Sequence, residues 1–436
     1  MMGITDRLIA FTAADPDRDA LEMMRLSLFD WATCGIAGAQ EAEFAGFRAA
    51  VTQAGGATEA TIFGGGAAPA STAALVNGTL SHALDFDDTH FAHIGHPSVA
   101  VVPAALAVAE RSGASFDDML AAALIGVEAS IHVGLWLGRD HYQVGFHQTA
   151  TAGAFGATLA AARLLNLSPD EVRHALGLCA SLASGLKAQF GTGGKPMNAG
   201  LAARSGVEAA LWAQAGLTGA ADGLAGPLGF AETHHATGST AHLAHLGAVP
   251  WQIMTISHKF HACCHGLHAM LEALSAVQFD VGQIERVSVF THPRWMSVCN
   301  KPDPDTGLAA KFSYRHTAAM ALSGIDTGRT GNFSDAMAQD SALVALRQRV
   351  AVSEEETLSE MQCRVELALR SGEVINRSHD LASPMPFDTR REKLTAKTRG
   401  FLGEKQTDDL WQSVVSGDLP GFTSLLKRLE PVTQQA

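Results

Sequence analysis

The feature that most constrains this chain is a series of apolar segments with helical spacing in its first half. Leu21, Met24, Leu28 and Trp31 recur at intervals of three and four residues, which gives a helix one apolar face. Further apolar segments with helical spacing follow at 119–136, 150–165 and 199–215. Several are apolar on nearly all sides, as is typical of helices inside a large bundle. Only 6% of the residues are aromatic, and abundant alanine and glycine let helices approach closely, so a mainly α protein is predicted.

Two helix starts are marked by capping residues. Ser115 is followed three residues later by Asp118, ahead of an apolar run. Ser168 precedes Pro169 at the first helical position and Glu171 at the third, which is a capping box with proline where its missing N–H is tolerated. These residues predict helices that begin directly after Ser115 and Ser168.

From about Lys259 onward, helical spacing gives way to alternation. Residues 286–291 alternate as in a half-buried strand, and so do residues 364–370, which lead through a Ser-Gly turn into a second short alternating segment. This succession predicts a β-hairpin. Helical stretches are expected in between, over residues 317–322 and in the acidic segment near Glu354.

The change of pattern divides the chain into two predicted domains. We predict a large all-helical domain formed by residues 1–257 and 397–436. A smaller α+β lid domain, residues 258–396, is inserted before the C-terminal helices. An insert of this length is a normal size for a domain.

The charge balance and the cysteines restrict the partners and the compartment. The formal net charge of −13 argues against nucleic acid or a membrane surface as partner, although a few local cations suffice to bind a small anion. The six cysteines are scattered apart from one adjacent pair, as expected for a reducing cytoplasm. The N-terminus lacks a basic segment followed by an apolar one, and the most apolar segment, 119–138, carries Glu128 and His132. We therefore expect a cytoplasmic protein without a signal peptide or membrane span.

The densest group of reactive side chains lies between residues 82 and 96. It contains four histidines and three carboxylates: His82, Asp85, Asp87, Asp88, His90, His93 and His96. Histidine titrates near neutral pH and a carboxylate can orient it, so the group suits proton transfer. A solvated capping loop is the alternative interpretation.

Two further segments each carry one candidate. His147, within residues 145–149, is a candidate proton carrier, although a lone histidine is more often a satisfied core residue. Lys195 follows two glycines, but Pro196 stands where a phosphate-binding loop needs Ser or Thr, so nucleotide binding is rejected. On a glycine-rich turn ahead of a helix, Lys195 can instead bind a carboxylate, or it is a surface lysine.

The segment 258–268 contains four histidines and two cysteines. A zinc ion bound by His261, His265 and His268 is one interpretation, because that spacing can share a helix face. Structural zinc, however, usually needs a second pair of ligands, and none is obvious. The alternative is that Lys259 anchors a substrate carboxylate and His268 lies in the same pocket. The segment 311–316, with two cations beside a tyrosine, is either part of a site or a solvated helix start.

Taken together, these segments resemble the MmgE/PrpD family. The stretches 77–89 and 95–98 resemble its best-marked motif, and the other motifs follow in the family's order at 145–147, 190–196, 259–268 and 311–313. The similarity extends from about Leu21 to Lys397. The family includes 2-methylcitrate dehydratase, cis-aconitate decarboxylase and iminodisuccinate epimerase.

The resemblance implies a fold, an activity and a site. It implies a homodimer whose chains have a large helical domain and an α+β lid. It also implies action on a small di- or tricarboxylic acid without a metal or organic cofactor. The catalytic residues are then Asp85, His96, His147, Lys195 and Lys259. The substrate-binding residues are Thr89, Cys264, His268 and His316.

This set of residues suits chemistry at the carbon next to a carboxylate. Two lysines can hold two carboxylates, and Asp85 can fix a histidine tautomer or bind a substrate hydroxyl. His96 and His147 can move protons. Cations beside the reacting carboxylate stabilise the charge that develops on it. We therefore expect a dehydratase-type lyase or an epimerase.

Three positions depart from the family pattern. Cys264 stands where cis-aconitate decarboxylase has a histidine and His316 where it has a tyrosine, which argues against cis-aconitate decarboxylation. Asn198 stands where a histidine is common. His316 is then a candidate second proton carrier of an epimerase. Two other classes stay open, a zinc-dependent hydrolase that uses the three-histidine set and a non-catalytic carboxylate-binding protein.

Overall fold

The computed structural model of the protein describes residues 2–275 and 280–428. The chain forms two compact units, Met1–His258 with Arg390–Ala436, and Lys259–Thr389. Within residues 2–275 and 280–428, the first unit consists of helices and loops with one two-stranded ladder, and the second contains a four-stranded sheet, which confirms a mainly α fold with a smaller α+β part. The chain returns to the first unit at Arg390, inside a helix, whereas the predicted boundary lies at 397.

The first unit begins with ten helices and one short ladder. The helices are α1 (Ile4–Thr12), α2 (Arg18–Gly38), α3 (Ala42–Gln53), α4 (Ala70–Ser81), α5 (Pro97–Ser112), α6 (Phe116–Gln143), α7 (Gln148–Leu164), α8 (Pro169–Cys179), α9 (Gly194–Gln214) and α10 (Phe230–Thr233). The ladder pairs β1 (Ala60–Thr61) with β2 (Ala67–Ala68) in antiparallel.

Glycine permits close packing between α4 and α9. A Cβ on Gly78 would lie 2.8 Å from the Cα of Gly200, and a Cβ on Gly200 would lie 2.2 Å from the carbonyl oxygen of Leu75. Only hydrogen fits at such contacts. The two helices therefore run close together near the C-terminal end of α4, where the chain passes through His82 into the loop 82–96.

Both predicted helix starts are confirmed. The Ser115 hydroxyl accepts from the backbone N–H of Asp118, whose side chain bonds back to the cap, and Ser168 and Glu171 form the same reciprocal pair. Such boxes satisfy N–H groups that the first helical turn leaves unpaired. These two starts were predictable because each depends on residues only three positions apart.

Helix α6 is a core helix. It is long and apolar enough to cross a membrane, but 89% of its apolar window is buried inside the protein. Its Glu128 and His132 pair with each other at 3.1 Å. The Glu128 carboxylate also accepts from the backbone N–H groups of Gln252 and Ile253, so the buried carboxylate of this helix is bonded within the protein.

The second unit combines short helices with one sheet. Its elements are α11 (His268–Ser275), β3 (Ile284–Thr291), α12 (Arg294–Val298), α13 (Gly307–Ala310), α14 (Tyr314–Leu322), α15 (Asp335–Ala338), α16 (Ser341–Arg347), β4 (Val350–Glu354), β5 (Gln362–Leu369) and β6 (Val374–Asp380). The strand order is β4-β3-β5-β6, with β3 parallel to β4 and the other pairs antiparallel. The chain then continues into α17 (Phe387–Ser416) and α18 (Leu419–Leu426).

Most of the local predictions for this unit are confirmed, with one exception. The predicted strand, hairpin and helix correspond to β3, the β5–β6 pair and α14. The acidic segment near Glu354 was predicted to be helical, and this is wrong, because Val350–Glu354 is the edge strand β4. Val350 lies opposite Val287 of β3, so β-branched residues pair across the ladder, while the charged end lies at the exposed edge of the sheet.

Candidate functional site

Three helices of the first unit begin at residues that the sequence singled out. His96 directly precedes α5, His147 directly precedes α7, and Lys195 is the second residue of α9. The backbone N–H of His96 donates to Oγ1 of Thr149 in the first turn of α7 at 3.0 Å, which ties two of these N-termini together. Unpaired N–H groups and the helix dipole make such ends favourable for an anion.

Asp85 joins Lys195 to His96. Its Oδ1 lies 2.6 Å from Nζ of Lys195 and 3.4 Å from Nε2 of His96. The backbone of Asp85 has a φ of 50°, in the left-handed region that aspartate adopts more readily than most residues. The side chain of Asp85 is 41% exposed and that of Lys195 is 16% exposed, so a small molecule can reach the ion pair.

His147 is held as a neutral ring. It is buried, and Nδ2 of Asn198 donates to its Nδ1 at 3.3 Å. A neutral imidazole that accepts at Nδ1 carries its proton at Nε2. Burial lowers the pKa of His147 well below its usual value and the charge of Lys195 lowers it further, against the opposing effect of Asp85. Near neutral pH, His147 is therefore an uncharged hydrogen-bond donor through Nε2.

A second carboxylate contacts His96 from the other ring nitrogen. Nδ1 of His96 lies 2.7 Å from Oδ2 of Asp87, and Nδ1 of His82 lies 2.9 and 3.1 Å from the two oxygens of the same carboxylate. Burial by itself raises the pKa of Asp87, but the two imidazoles outweigh it, and the pKa lies well below its usual range. Asp87 is thus an ionised carboxylate that is 1% exposed and lies between two rings.

A buried ion pair anchors the loop that carries these residues. Nζ of Lys397, on α17, lies 2.5 Å from Oδ1 of Asp30 on α2 and donates to the carbonyl oxygen of Phe86 at 2.6 Å. The side chains of Lys397 and Asp30 are each 1% exposed. Phe86 stands between Asp85 and Asp87, so this contact fixes the backbone at the centre of the site.

Asp88 and Thr89 hold the next part of the loop. Asp88 accepts from the backbone N–H and the hydroxyl of Ser98 at 3.3 and 2.5 Å, and burial raises the pKa of Asp88 to about 7. Thr89 and Ser257 exchange two backbone hydrogen bonds, and Oγ1 of Thr89 donates to the Ser257 carbonyl at 3.2 Å. The Thr89 hydroxyl therefore bonds to the protein itself, and its role in substrate binding stays a prediction.

The second unit carries Lys259, Cys264 and His268. Lys259 is 2% exposed. Burial lowers the pKa of His268 well below its usual value, and the nearby His265 and Lys259 lower it further. Sγ of Cys264 lies 3.1 Å from Sγ of Cys299. The roles assigned to Lys259, Cys264 and His268 stay predictions.

His316 lies on α14, which packs against both α11 and α16 of the second unit. Its ring is fully buried, and neither ring nitrogen has a hydrogen-bond partner in the described part of the chain. Burial lowers the pKa of His316 to about 4, with a further contribution from Arg347. The charged residues that act on it are Arg347 and Asp340, within and at the start of α16, rather than the predicted residues of 259–268.

The predicted zinc ligands do not share a helix face. Residues 261–263 form a bend and 265–267 a 3₁₀ turn, and α11 begins only at His268, so the expected common face of the three histidines is not formed. Over residues 2–275 and 280–428, the ligand atoms close enough to hold a metal belong instead to His82, Asp87 and His96, which lie within 4.8 Å of one another. Zinc chemistry at the His261 set has no geometric support.

Comparison with known protein families covers both units. The model described as "MmgE/PrpD N-terminal domain" matches residues 4–241, and the model described as "MmgE/PrpD C-terminal domain" matches residues 261–416. The protein belongs to the MmgE/PrpD family. The resemblance inferred from the ordered motifs is thereby confirmed.

Several curated members of the MmgE/PrpD family are similar to this chain. The cis-aconitate decarboxylase of Aspergillus terreus is 26% identical over 397 residues, which is 82% of this chain and 80% of that protein. Human cis-aconitate decarboxylase is 31% identical over 274 residues, 59% of this chain and 56% of the human protein. The cis-aconitate decarboxylase-like protein oryM of Aspergillus oryzae is 30% identical over 261 residues, 51% and 53% of the two chains. The match thus spans little more than half the length of two of these relatives.

Three residues of the observed cluster were missed as site residues. His82 and Asp87 stand in the same segment as His96, but residue type alone cannot rank seven similar side chains. For Asn198, the sequence indicated only that it stands where a histidine is common in the family. Its contact with His147 depends on the packing of α9 beside the start of α7, which no local pattern encodes.

Proposed function

We propose that this protein is an enzyme that uses acid/base chemistry at the carbon next to a carboxylate of a small di- or tricarboxylic acid. We propose further that it needs no metal or organic cofactor and that its reaction is of the lyase type. One observation carries this: His96, His147 and Lys195 lie at the start of three helices, and Asp85 of the loop 82–96 contacts Lys195 and His96. The lyase class is supported by relatives that are named cis-aconitate decarboxylases.

The charges at this site favour a carboxylate ligand. Lys195 supplies a cation and the N-termini of α5, α7 and α9 supply partial positive charge. Lys195 already donates to the carboxylate of Asp85, so its ammonium group is directed at an anionic partner. A substrate carboxylate binds beside this pair, and Lys259 is proposed as the anchor for a second carboxylate.

Two histidines with different roles, a hydrogen-bond donor and a proton acceptor, carry out the acid/base step. The Nε2–H group of neutral His147 donates to the substrate carboxylate next to the reacting carbon and stabilises the charge that develops on it. His96 lies between the carboxylates of Asp85 and Asp87, which stabilise a positive charge on its ring, so His96 can accept the proton. Each acid/base group contributes roughly 10²–10⁴ in rate.

The fate of the activated carbon distinguishes the members of this reaction class. After removal of the proton, loss of hydroxide from the neighbouring carbon gives an alkene, and return of the proton to the opposite face gives an epimer. In a decarboxylation, loss of carbon dioxide takes the place of proton removal and leaves the electron pair on carbon, which then takes up a proton to give a shorter acid. A lyase-type reaction is proposed over epimerisation because the similar relatives are named cis-aconitate decarboxylases.

Proton NMR of the purified protein in D₂O tests the proposal with 2-methylcitrate, citrate, cis-aconitate, tartrate and iminodisuccinate. We expect a new vinyl signal from one of these acids, and the carbon count of the product separates dehydration from decarboxylation. Exchange of an α-proton without a new alkene would identify an epimerase instead. Thermal stabilisation by these acids without any turnover would overturn the enzymatic proposal in favour of a carboxylate-binding protein.

Chelation tests the absence of a metal from the reaction. We expect turnover to be unchanged after dialysis against EDTA, and elemental analysis of protein purified without added metal to find no stoichiometric zinc. Zinc at one ion per chain, lost together with activity on chelation, would favour the hydrolase.

The assembly and the compartment are also part of the proposal. We propose a homodimer in a reducing cytoplasm, in line with the family resemblance and with six cysteines that are all free thiols. Analytical ultracentrifugation checks the dimer, and a monomer at micromolar concentration contradicts it.

A further inference from the structure

We infer that Asp87 is a positioning residue that binds His82 and His96 through Nδ1 and thereby aims Nε2 of His96 at Asp85. This inference rests on the proposed function, because His96 is the proton carrier of that reaction. Neither His82 nor Asp87 belongs to the residues that the family resemblance assigned to the site. The inference adds a buried carboxylate-bridged pair of imidazoles behind the reacting groups.

The contacts place the same ring atom of both histidines on one carboxylate. His82 Nδ1 is 2.9 Å from Oδ1 of Asp87, and His96 Nδ1 is 2.7 Å from Oδ2. The two rings lie edge to face with centroids 4.6 Å apart. An ionised carboxylate only accepts, so His82 donates its Nδ1–H to Asp87, while His96 turns its Nδ1 toward the same carboxylate as a close ion pair.

The orientation of the His96 ring places its other nitrogen, Nε2, beside Asp85. Nε2 lies 3.4 Å from Oδ1 of Asp85, which in turn pairs with Lys195 at 2.6 Å. A rotation of the ring would break the contacts at both nitrogens. Asp87 therefore sets the direction in which His96 presents the nitrogen that gains or loses a proton.

His82 keeps the carboxylate in place. The side chain is fully buried, and its Nε2 has no hydrogen-bond partner within the described residues. Because His82 meets both oxygens of Asp87, at 2.9 and 3.1 Å, it restricts the rotation of the carboxylate. Its ring also lies nearly parallel to that of His147, with centroids 6.0 Å apart, so the two predicted proton carriers border the same buried imidazole.

The neighbouring carboxylate gives a matched comparison. Asp88 is as buried as Asp87, at 1% exposure, but it bonds to Ser98 and caps the first turn of α5. Burial raises the pKa of Asp88, whereas the two imidazoles hold the pKa of Asp87 well below its usual range. The pKa values of these two adjacent aspartates are thus shifted in opposite directions. Asp88 acts as a structural helix cap, whereas Asp87 is a charged group that positions the imidazoles.

The distances favour direct contact over a metal between these groups. The three ligand atoms lie within 4.8 Å of one another, which would also admit an ion. However, separations of 2.7 and 2.9 Å between nitrogen and oxygen are those of charge-assisted hydrogen bonds and close ion pairs. We therefore assign a hydrogen bond from His82 and an ion pair with His96 to the Asp87 carboxylate, and make a bound metal an outcome of the test.

The substitutions Asp87→Asn and Asp88→Asn test this assignment on the full chain. An asparagine carries no charge and has an NH₂ donor in place of one carboxylate oxygen, so at position 87 it weakens both contacts and opposes an Nδ1–H group on the imidazole that faces the NH₂. We expect Asp87→Asn to lower kcat at least about 100-fold, because a catalytic histidine that loses its positioning carboxylate can adopt the wrong tautomer. KM is expected to stay within a few-fold of the native value. Asp88→Asn is expected to leave kcat within a few-fold.

Histidine-selective ¹⁵N and ¹³C NMR of the substrate-free protein gives a readout that needs no turnover. We expect Asp87→Asn to change the tautomer signals of His82 or His96, and Asp88→Asn to leave both unchanged. If no acid in the panel is turned over but Asp87→Asn shifts these signals, the positioning assignment stands and the proposed function fails. Unchanged signals together with unchanged kcat in Asp87→Asn would overturn the positioning role.

A second pair of variants guards against simple loss of folding. His82→Gln keeps an N–H donor for Asp87, whereas His82→Leu removes it. We expect His82→Gln to retain at least about tenfold more kcat than His82→Leu at similar melting temperatures. Equal losses in both would count against the carboxylate-bridged pair. Stoichiometric metal in the native protein that disappears in Asp87→Asn would replace the assignment with a metal site.

Discussion

Lys195 and Asn198 lie one turn apart at the start of α9, and each bonds to a different group of the site. Lys195 pairs with Asp85, while Asn198 donates to Nδ1 of His147. The charge of Lys195 lowers the pKa of His147, while the hydrogen bond from Asn198 fixes which ring nitrogen accepts. These two effects can be separated by substitution.

Loss of the Lys195 charge should impair the reaction itself. We expect Lys195→Met to lower kcat/KM roughly 10²–10³-fold, because the cation stabilises charge that develops on the substrate carboxylate. Lys187→Met is the matched control, since Lys187 is a half-buried lysine that donates to the carbonyl of Tyr142 and stacks over its ring. Steady-state kinetics on the acid identified by NMR checks both variants, and equal effects would contradict the assignment of Lys195.

Replacement of the Asn198 donor by an acceptor should change which ring nitrogen of His147 carries the proton. In Asn198→Asp the new carboxylate only accepts, so His147 shifts its proton to Nδ1 or becomes charged. We expect kcat to fall roughly 10²-fold or more and the pKa of His147 to rise, since an adjacent negative charge favours the imidazolium. The pH profile of kcat and histidine NMR measure this. An unchanged profile would show that Asn198 does not set the tautomer.

Helices α2 and α17 meet the loop 82–96 through one buried cation. Lys397 bonds to Asp30 and to the Phe86 carbonyl, and the partners are 367 and 311 residues apart in the chain. Helix starts such as Ser115 and Ser168 were predictable, because their partners lie three residues away. The Lys397 contact was not, because a lysine in a helical segment normally indicates a solvated face.

Removal of this buried cation should destabilise the first unit. We expect Lys397→Met to lower the free energy of unfolding by about 3–5 kcal/mol, because Asp30 is left as a buried charge without its counter-ion. Lys405→Met, on the same helix, breaks an exposed pair with Asp409 and should cost at most about 0.5 kcal/mol. Urea denaturation measures both, and similar midpoints would refute a structural role for the buried pair.

Across the whole molecule, several histidines are held neutral by burial. His90 illustrates how: its Nδ1 accepts from the backbone N–H of His93, and its Nε2 donates to Thr255. Burial lowers the pKa of His90 to about 4. The unfolded chain, with an ordinary histidine pKa near 6.5, binds the proton first, so protonation in this pH range favours unfolding.

Acid should therefore destabilise the protein between about pH 6.5 and pH 4. The contribution of His90 is fully present above about pH 6.5 and is lost as the pH falls toward 4, at about 1.4 kcal/mol per pH unit at most. Asp88 acts in the opposite sense, because its raised pKa of about 7 gives stability at low pH that is lost as the pH rises through 7. We expect His90→Gln to flatten the acid side of the stability curve. Exposed His242→Gln should leave it unchanged, and equal slopes in urea denaturation at each pH would contradict the role of His90.

Much of the fold and part of the site could be predicted from the sequence. The helical segments, the two capping boxes and the β5–β6 hairpin depend on residues close together in the chain. The β4 strand was wrongly predicted as a helix, because its pairing with β3 across the sheet outweighs the helical tendency of its acidic end. The ordered motifs identified the family and so pointed to Asp85, His96, His147 and Lys195.

By itself, the sequence determined that this chain is mainly helical, which residue types supply its acid/base chemistry, and where its capped helices begin. Only the tertiary structure decided which of those residues meet. Asp85 reaches Lys195 across 110 residues, and Asp87 rather than Asp88 contacts His96. The physical reason is that helical spacing and capping act over three or four residues. The partner of a buried charge, by contrast, depends on how distant helices pack, and small residues such as Gly78 and Gly200 fix that packing only once the helices are in contact.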